Sequence, residues 1–125
     1  GVLETARELG VTIVAYTPLE RGLLSGKYHK HPELLSQVPR WRRVGMQNDF
    51  ERSRTLVAAM EEIAPKYQAT IAQVALNWLI NYNGETVVTI PGATKVSQAV
   101  EDAGAMKFRL SGDDLARLDE LSPRL

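Results

Sequence analysis

Val11-Thr12-Ile13-Val14-Ala15-Tyr16 runs straight into Thr17-Pro18. The first six residues are short, β-branched and almost wholly apolar. A strand buried on both faces of a parallel sheet reads this way. Proline has no N–H to give a ladder, so Thr17-Pro18 stops the strand. Upstream, Val2 to Gly10 reads as the end of a helix closed by glycine. Downstream, Thr86-Val87-Val88-Thr89-Ile90 repeats the strand pattern and is ended by Pro91-Gly92. Strands that alternate with helices imply βαβ units, and so an α/β fold around a parallel sheet.

Between the strands, Glu20 to Lys27 reads as a short glycine-punctuated turn. Tyr28 to Phe50 shows no period and is expected to be a long loop. Glu51 to Tyr67 has helical spacing, with Leu56, Met60, Ile63 and Ala64 on one face. Pro65 ends its regular part. Thr70 reads as the N-cap of a helix over Ile71 to Tyr82, striped by Val74, Ala75, Trp78 and Leu79. Val96 to Met106 is expected to turn Val96, Ala99, Val100 and Ala103 inward. Ser111 caps a last helix, whose inner face is Leu115, Leu118 and Leu121 and whose first turn holds Asp113 and Asp114. Two parallel strands cannot bury both faces or close a sheet. The chain opens in mid-helix without an initiator Met, so a piece of a larger fold is expected.

Composition narrows the function classes. The 125 residues hold 15 basic and 15 acidic side chains and no cysteine. Zero net charge gives no sign of nucleic acid or an anionic membrane as partner. Without cysteine there are no disulfides and no thiolate chemistry. No run approaches membrane length and no signal peptide is visible, so a cytoplasmic protein is expected. His29, His31 and Glu33 make a poor metal set with no further ligand, and no metal is expected. Arg40-Trp41-Arg42-Arg43 is read as part of a loop folding over a ligand rather than as a nucleic-acid patch, with Trp41 at the substrate mouth.

Two loops carry the functional signal. The first runs from Tyr16 to Lys27, at the C-terminal end of a strand, where parallel α/β proteins place ligands. Tyr16 offers a ring face, Thr17 a hydroxyl, and Arg21 and Lys27 charges for phosphate. Taken alone, it reads more readily as a strand end, a turn and a helix with surface cations. The second runs from Ile90 to Asp102, from a strand end into a helix N-terminus. Exposed N–H groups there favour an anion. Gly92 and Ala93 leave room, Thr94 and Lys95 supply a hydroxyl and a charge, and Gln98 and Asp102 share a helical face. Taken alone, this reads equally as an ordinary βα turn.

Together the pieces resemble the aldo-keto reductases. Tyr16-Thr17-Pro18-Leu19, Gly22-Leu23-Leu24-Ser25-Gly26-Lys27-Tyr28, Ala72 to Leu79 and Ile90-Pro91-Gly92 follow that family's order and spacing, as does Arg109-Leu110-Ser111 before an acidic helix. The resemblance covers essentially the whole chain. It implies residues 1–125 as the C-terminal part of a (β/α)₈ TIM barrel: its last two strands, their helices and a C-terminal helix. It implies NADP(H) as cofactor and a small carbonyl compound as substrate. The nicotinamide would stack on Tyr16. The pyrophosphate would run over Thr17, Pro18, Leu19, Glu20 and Arg21, with Lys27 nearby. The adenosine end would meet Gly92, Ala93, Thr94, Gln98, Glu101 and Asp102. There is no G-x-G-x-x-G, which the resemblance does not require.

The chain departs from the family pattern at two places. Asp102 stands where Asn is usual, and an ionised Asp cannot donate to an adenine ring nitrogen. Gly92 and Gln98 stand where some branches carry basic residues, which weakens the case for NADPH over NADH. The family's catalytic Asp, Tyr, Lys and His match nothing in this chain, so no catalytic residue is assigned and no turnover by the chain alone is expected. Tyr28 ends the Gly-Lys-Tyr motif, Tyr67 and Tyr82 read as packing, and Trp78 as core. Two other readings stay open. One is a non-catalytic NADP(H)-binding regulatory module, like channel-associated relatives. The other is a degenerate chain that docks on full barrels through its strand edges.

Overall fold

The computed structural model describes residues 1–122. Helix α1 (Val2–Leu9) ends at Gly10, whose φ of 63° is the left-handed conformation that glycine adopts without strain. Strand β1 (Ile13–Ala15) leads into a 3₁₀ segment, Glu20–Ser25. Helix α2 (Lys27–Lys30) and a 3₁₀ segment over Pro32–Gln37 follow. Helix α3 (Arg40–Ile63) runs for 24 residues and continues into the 3₁₀ turn Ala64–Tyr67. Helix α4 (Ile71–Tyr82) precedes strand β2 (Val87–Thr89). Helices α5 (Val96–Gly104) and α6 (Gly112–Leu121) complete the order.

The two strands pair in parallel, with Ile13 opposite Val87, Val14 opposite Val88 and Ala15 opposite Thr89. The α/β reading with a parallel pair therefore stands. Each strand is three residues long, shorter than the six and five that composition suggested. One face packs under α4 and buries Val87, while the other leaves Val14 54% and Val88 44% exposed. This corrects the expectation of burial on both faces. A side chain's period of two sends alternate residues to opposite faces, and only one face meets a helix here.

The expected loop from Tyr28 to Phe50 is also corrected, because α3 begins at Arg40. Pro39 stands just before its first turn, where a missing N–H costs nothing. Met46, Phe50, Ser53, Val57 and Met60 are buried at spacings of three and four. Only Met46 and Phe50 of that stripe fall before Glu51, and Gly45, Gln47 and Asn48 interrupt it, so no period shows in that window alone.

The main core lies between α3, α4 and α6. Leu56, Met60, Ile63, Val74, Ala75 and Leu118 are its centre, with Trp78, Leu115 and Leu121 packed against it. A smaller cluster of Leu23, Met46 and Phe50 sits beneath the Glu20–Ser25 segment. Thr70 caps α4 reciprocally with Gln73, its hydroxyl accepting from the Gln73 N–H and its own N–H donating to Gln73. Helix α5 sits differently from its expected orientation. Val96, Ala99, Val100 and Ala103 all face solvent, and Gly104 is the buried position. The Gln73 side chain donates to the Glu101 carbonyl at 2.9 Å, and a Cβ at Gly104 would clash with the Gln73 amide nitrogen. That polar contact fixes which side of α5 meets α4.

Asp114 ties α6 to the end of α3. Its carboxylate accepts from Lys66 Nζ at 2.9 Å, Tyr67 Oη at 2.7 Å and Ser111 Oγ at 3.1 Å. Burial alone pushes the Asp114 carboxyl up, but these donors outweigh it and hold the group below the usual carboxylate range. A carboxylate with a depressed folded pKa contributes stability that is complete above its unfolded pKa, near 3.9. That stability is lost as pH falls from there through the folded value. Melting temperature should therefore drop in acid more steeply for the native chain than for Asp114→Asn, which cannot titrate. Parallel curves for the two proteins would show that Asp114 contributes nothing.

Candidate functional site

The Glu20–Ser25 segment is held by its apolar residues, which leaves its polar ones free to line a cavity. Leu23 is fully buried against Met46 and Phe50, and Leu19 and Leu24 pack on the main core. Between these anchors the backbone turns through positive φ at Thr17 (52°), Glu20 (45°), Arg21 (56°) and Gly22 (91°). Three of those four are not glycine, and such backbone costs of order 1 kcal/mol or more each. The turn is closed by Glu20 N–H donating to Thr17 O and Gly22 N–H to Leu19 O, each at 2.9 Å. At Gly26 (φ 75°) a Cβ would come within 2.6 Å of Ile71 Cδ1, so glycine lets the loop lie directly on α4.

The second loop begins as β2 ends, at Ile90, Pro91 and Gly92. The Gln98 side-chain oxygen accepts from Thr94 N–H at 2.9 Å, Thr94 Oγ1 at 3.1 Å and Lys95 N–H at 3.1 Å. The two amides just ahead of α5 are therefore already occupied. Gln98 already uses the Thr94 and Lys95 N–H groups, and its remaining capacity is its side-chain NH₂. Asp102, half-buried, is pushed up from the usual carboxylate range, first by burial and then by the neighbouring Glu101 charge.

The two loops face each other across a cleft of about 900 Å³, within the roughly 300–1,000 Å³ of ordinary ligand sites. Ten of the thirteen residues singled out in the sequence line it: Thr17, Pro18, Leu19, Arg21 and Lys27 from one loop, and Gly92, Thr94, Gln98, Glu101 and Asp102 from the other. Tyr16, Glu20 and Ala93 do not. Tyr16 is 81% exposed beyond the end of β1, Glu20 sits within the turn, and Ala93 faces solvent. The cations and the acids stand on opposite loops, Arg21 and Lys27 on one and Glu101 and Asp102 on the other. The cleft therefore offers one end that attracts phosphate and one that accepts hydrogen bonds.

Sequence reasoning gave Ser25, Tyr28 and Ala72 no ligand contact, yet they line the cleft, together with Gly22, expected to let the backbone approach a ligand, and Arg42, expected only as part of a covering loop. Arg42 matters most, because it brings a third cation from the first turn of α3. The Arg40–Arg43 cluster pointed to it, although as a loop rather than a helix. His29 and His31 are not a pair. The His29 ring stacks on Phe50 at 4.5 Å, while exposed His31 lies 3.3 Å from Glu33.

The family model described as "Aldo/keto reductase family" matches residues 1–123. This chain belongs to the aldo/keto reductase family. It is 38% identical over 127 residues to aldo-keto reductase str7 of Strobilurus tenacellus, across 97% of this chain and 36% of the relative. It is 36% identical over 123 residues to probable aldo-keto reductase 1 of Glycine max, across 98% and 35%. With aldo-keto reductase yakc [NADP(+)] of Schizosaccharomyces pombe it shares 33% identity over 126 residues, across 96% and 35%. A crystal structure of the thermostable aldo-keto reductase Tm1743 with the inhibitor epalrestat superposes with a TM-score of 0.67 at 33% identity, over 98% of this chain and 34% of that one. The chain spans about a third of the length of the curated relatives it matches. Among the described residues, no helix is long and apolar enough to cross a membrane.

Proposed function

We propose that residues 1–125 are the C-terminal part of a (β/α)₈ barrel oxidoreductase that reduces aldehydes or ketones with NADPH, and that they supply its cofactor grip. The observation that carries this is the cleft at the carboxyl ends of two parallel strands, walled by both motif loops. The open sheet face supports the barrel. Val14, Tyr16, Val88 and Ile90 are all exposed there, and further strands would bury them as a barrel interior. Such a barrel takes about 250 residues, in keeping with the share of its relatives that this chain spans.

NADP(H) suits the residues present. Arg21, Lys27 and Arg42 would meet the pyrophosphate, with Thr17 beside them. The exposed Tyr16 ring would carry the nicotinamide. Gly92 has nothing within 4 Å of where a Cβ would stand, so the adenosine end can approach its backbone. Thr94, Gln98, Glu101 and Asp102 would line that end. The bound cofactor supplies the hydride, and this chain holds it in place. The relative from S. pombe carries NADP(+) in its name.

Titration of the chain with NADPH, followed by cofactor fluorescence, tests this reading, with Asp102→Asn as the informative variant. Native chain should bind NADPH and leave a generic aldehyde unreduced. Asp102→Asn should bind roughly threefold to tenfold more tightly at neutral pH, because the amide restores a donor. A raised pKa means that lowering the pH protonates Asp102 and gives it an O–H donor. The advantage of Asn should therefore shrink as the pH is lowered. Failure of either protein to bind NADPH or NADH removes the proposal, and aldehyde turnover by the chain alone removes its division of labour.

A further inference from the structure

Beside the cleft lies a second cavity, of about 760 Å³, between the first loop and the start of α3. The two cavities share one wall. Thr17, Arg21, Lys27, Tyr28 and Arg42 line both. Among the described residues, none of the three cations on that wall has an ion-pair partner. No Asp or Glu lines the second cavity. The residues that line only this cavity are Leu34, Gln37, Val38, Pro39, Trp41, Gly45 and Met46, apolar apart from Gln37.

The cations are placed rather than merely exposed. The Arg42 guanidinium lies 5.0 Å from the Trp41 ring centroid and Lys27 Nζ 5.6 Å from that of Tyr28, both within cation–π range. Gly45 explains the position of Arg21. Glycine within a helix costs about 1 kcal/mol relative to alanine, so a glycine in α3 calls for a reason. A Cβ at Gly45 would stand 3.3 Å from Arg21 Nη1. Its absence lets the guanidinium lie against the helix one turn from Arg42, at the mouth of both cavities.

We propose that the second cavity is a subsite for a small molecule carrying one carboxylate on a flat apolar body. Two guanidinium groups and an ammonium on one wall suit a carboxylate, which accepts paired N–H donors. The tryptophan and the aliphatic residues of this cavity suit a flat ring. One part rests on the cofactor reading: a pyrophosphate in the main cleft carries two negative charges, and three cations then leave one positive charge for a monoanion. On that reading the occupant is a carbonyl substrate bearing an acid group. Binding of the carboxylate itself needs no cofactor.

The probe is 4-methylbenzoate, with uncharged 4-methylbenzamide as its match in shape. Binding is read from the indole N–H resonances of the ¹⁵N-labelled chain, with Trp41 assigned through Trp41→Phe. The carboxylate should shift the Trp41 resonance saturably, and the amide should bind at least about tenfold more weakly. Arg42→Gln should weaken carboxylate binding by a similar factor. Equal binding of acid and amide, unchanged affinity in both Arg42→Gln and Arg21→Gln, or a shift confined to Trp78 would overturn the proposal. NADPH titrated into the same sample separates the two readings. Carboxylate binding without NADPH binding leaves this subsite standing and removes the cofactor assignment; NADPH binding without carboxylate binding removes only the subsite.

Discussion

Asn77→Ala is expected to destabilise the chain by roughly 3 kcal/mol or more, among the largest losses available to a single substitution here. Asn77 is fully buried within α4 and satisfies three backbone groups at once. Its Nδ2 donates to the Ala105 carbonyl at 2.8 Å and the Phe108 carbonyl at 2.7 Å, and its Oδ1 accepts from Leu110 N–H at 3.2 Å. Those groups belong to the stretch between α5 and α6, a short 3₁₀ turn over Ala105–Lys107 followed by extended backbone at Phe108. Alanine would leave two carbonyls and one N–H buried without partners, each costing about 1–3 kcal/mol. Asn77→Asp is the sharper control. It keeps the acceptor for Leu110 but offers no N–H to either carbonyl, so it should rescue little. Urea denaturation of the three proteins measures this. A loss under about 1 kcal/mol for alanine would mean that water replaces the amide.

Asn77 also marks a limit of what the sequence shows. The apolar stripe of α4 was legible through Val74 and Ala75, because burial of apolar surface leaves a period in the sequence. A buried amide leaves none. It was invisible until the Ala105–Leu110 backbone it serves was in place. The same distinction runs through the rest of the molecule. Leu56, Met60, Ile63 and Leu118 read correctly because one helix face meets one core. Val96 and Val100 read wrongly because a Gln73 side chain, not hydrophobicity, orients α5. The candidate site was legible through motif order: most of its lining residues fall in the two quoted loops. Arg42 fell outside them because α3 showed no period before Glu51, and the folding of α3 back over the first loop is a long-range event. Gln98 was located, but its use of the Thr94 and Lys95 amides depends on a turn geometry that spacing does not encode.

Arg21→Glu is expected to weaken NADPH binding by about a hundredfold or more. One charge-assisted hydrogen bond to phosphate is worth roughly 1.5–3 kcal/mol, and reversal adds repulsion between Glu and the pyrophosphate. The effect should be larger at Arg21 than at any other cation of the chain. Arg21 lines both cavities, rests against the Gly45 backbone and has no carboxylate partner among the described residues. Little ordering is left to be done when a phosphate arrives. Lys107→Glu makes the same change of charge away from the cleft. It should alter binding only through the long-range field, which is largely screened beyond about 8 Å at physiological ionic strength. Raising the salt should then erase the Lys107 effect and leave most of the Arg21 effect. Equal losses in the two variants, both abolished by salt, would mean that the first loop attracts the cofactor by net charge alone. The positive φ at Arg21 and the glycine in α3 would then need another explanation.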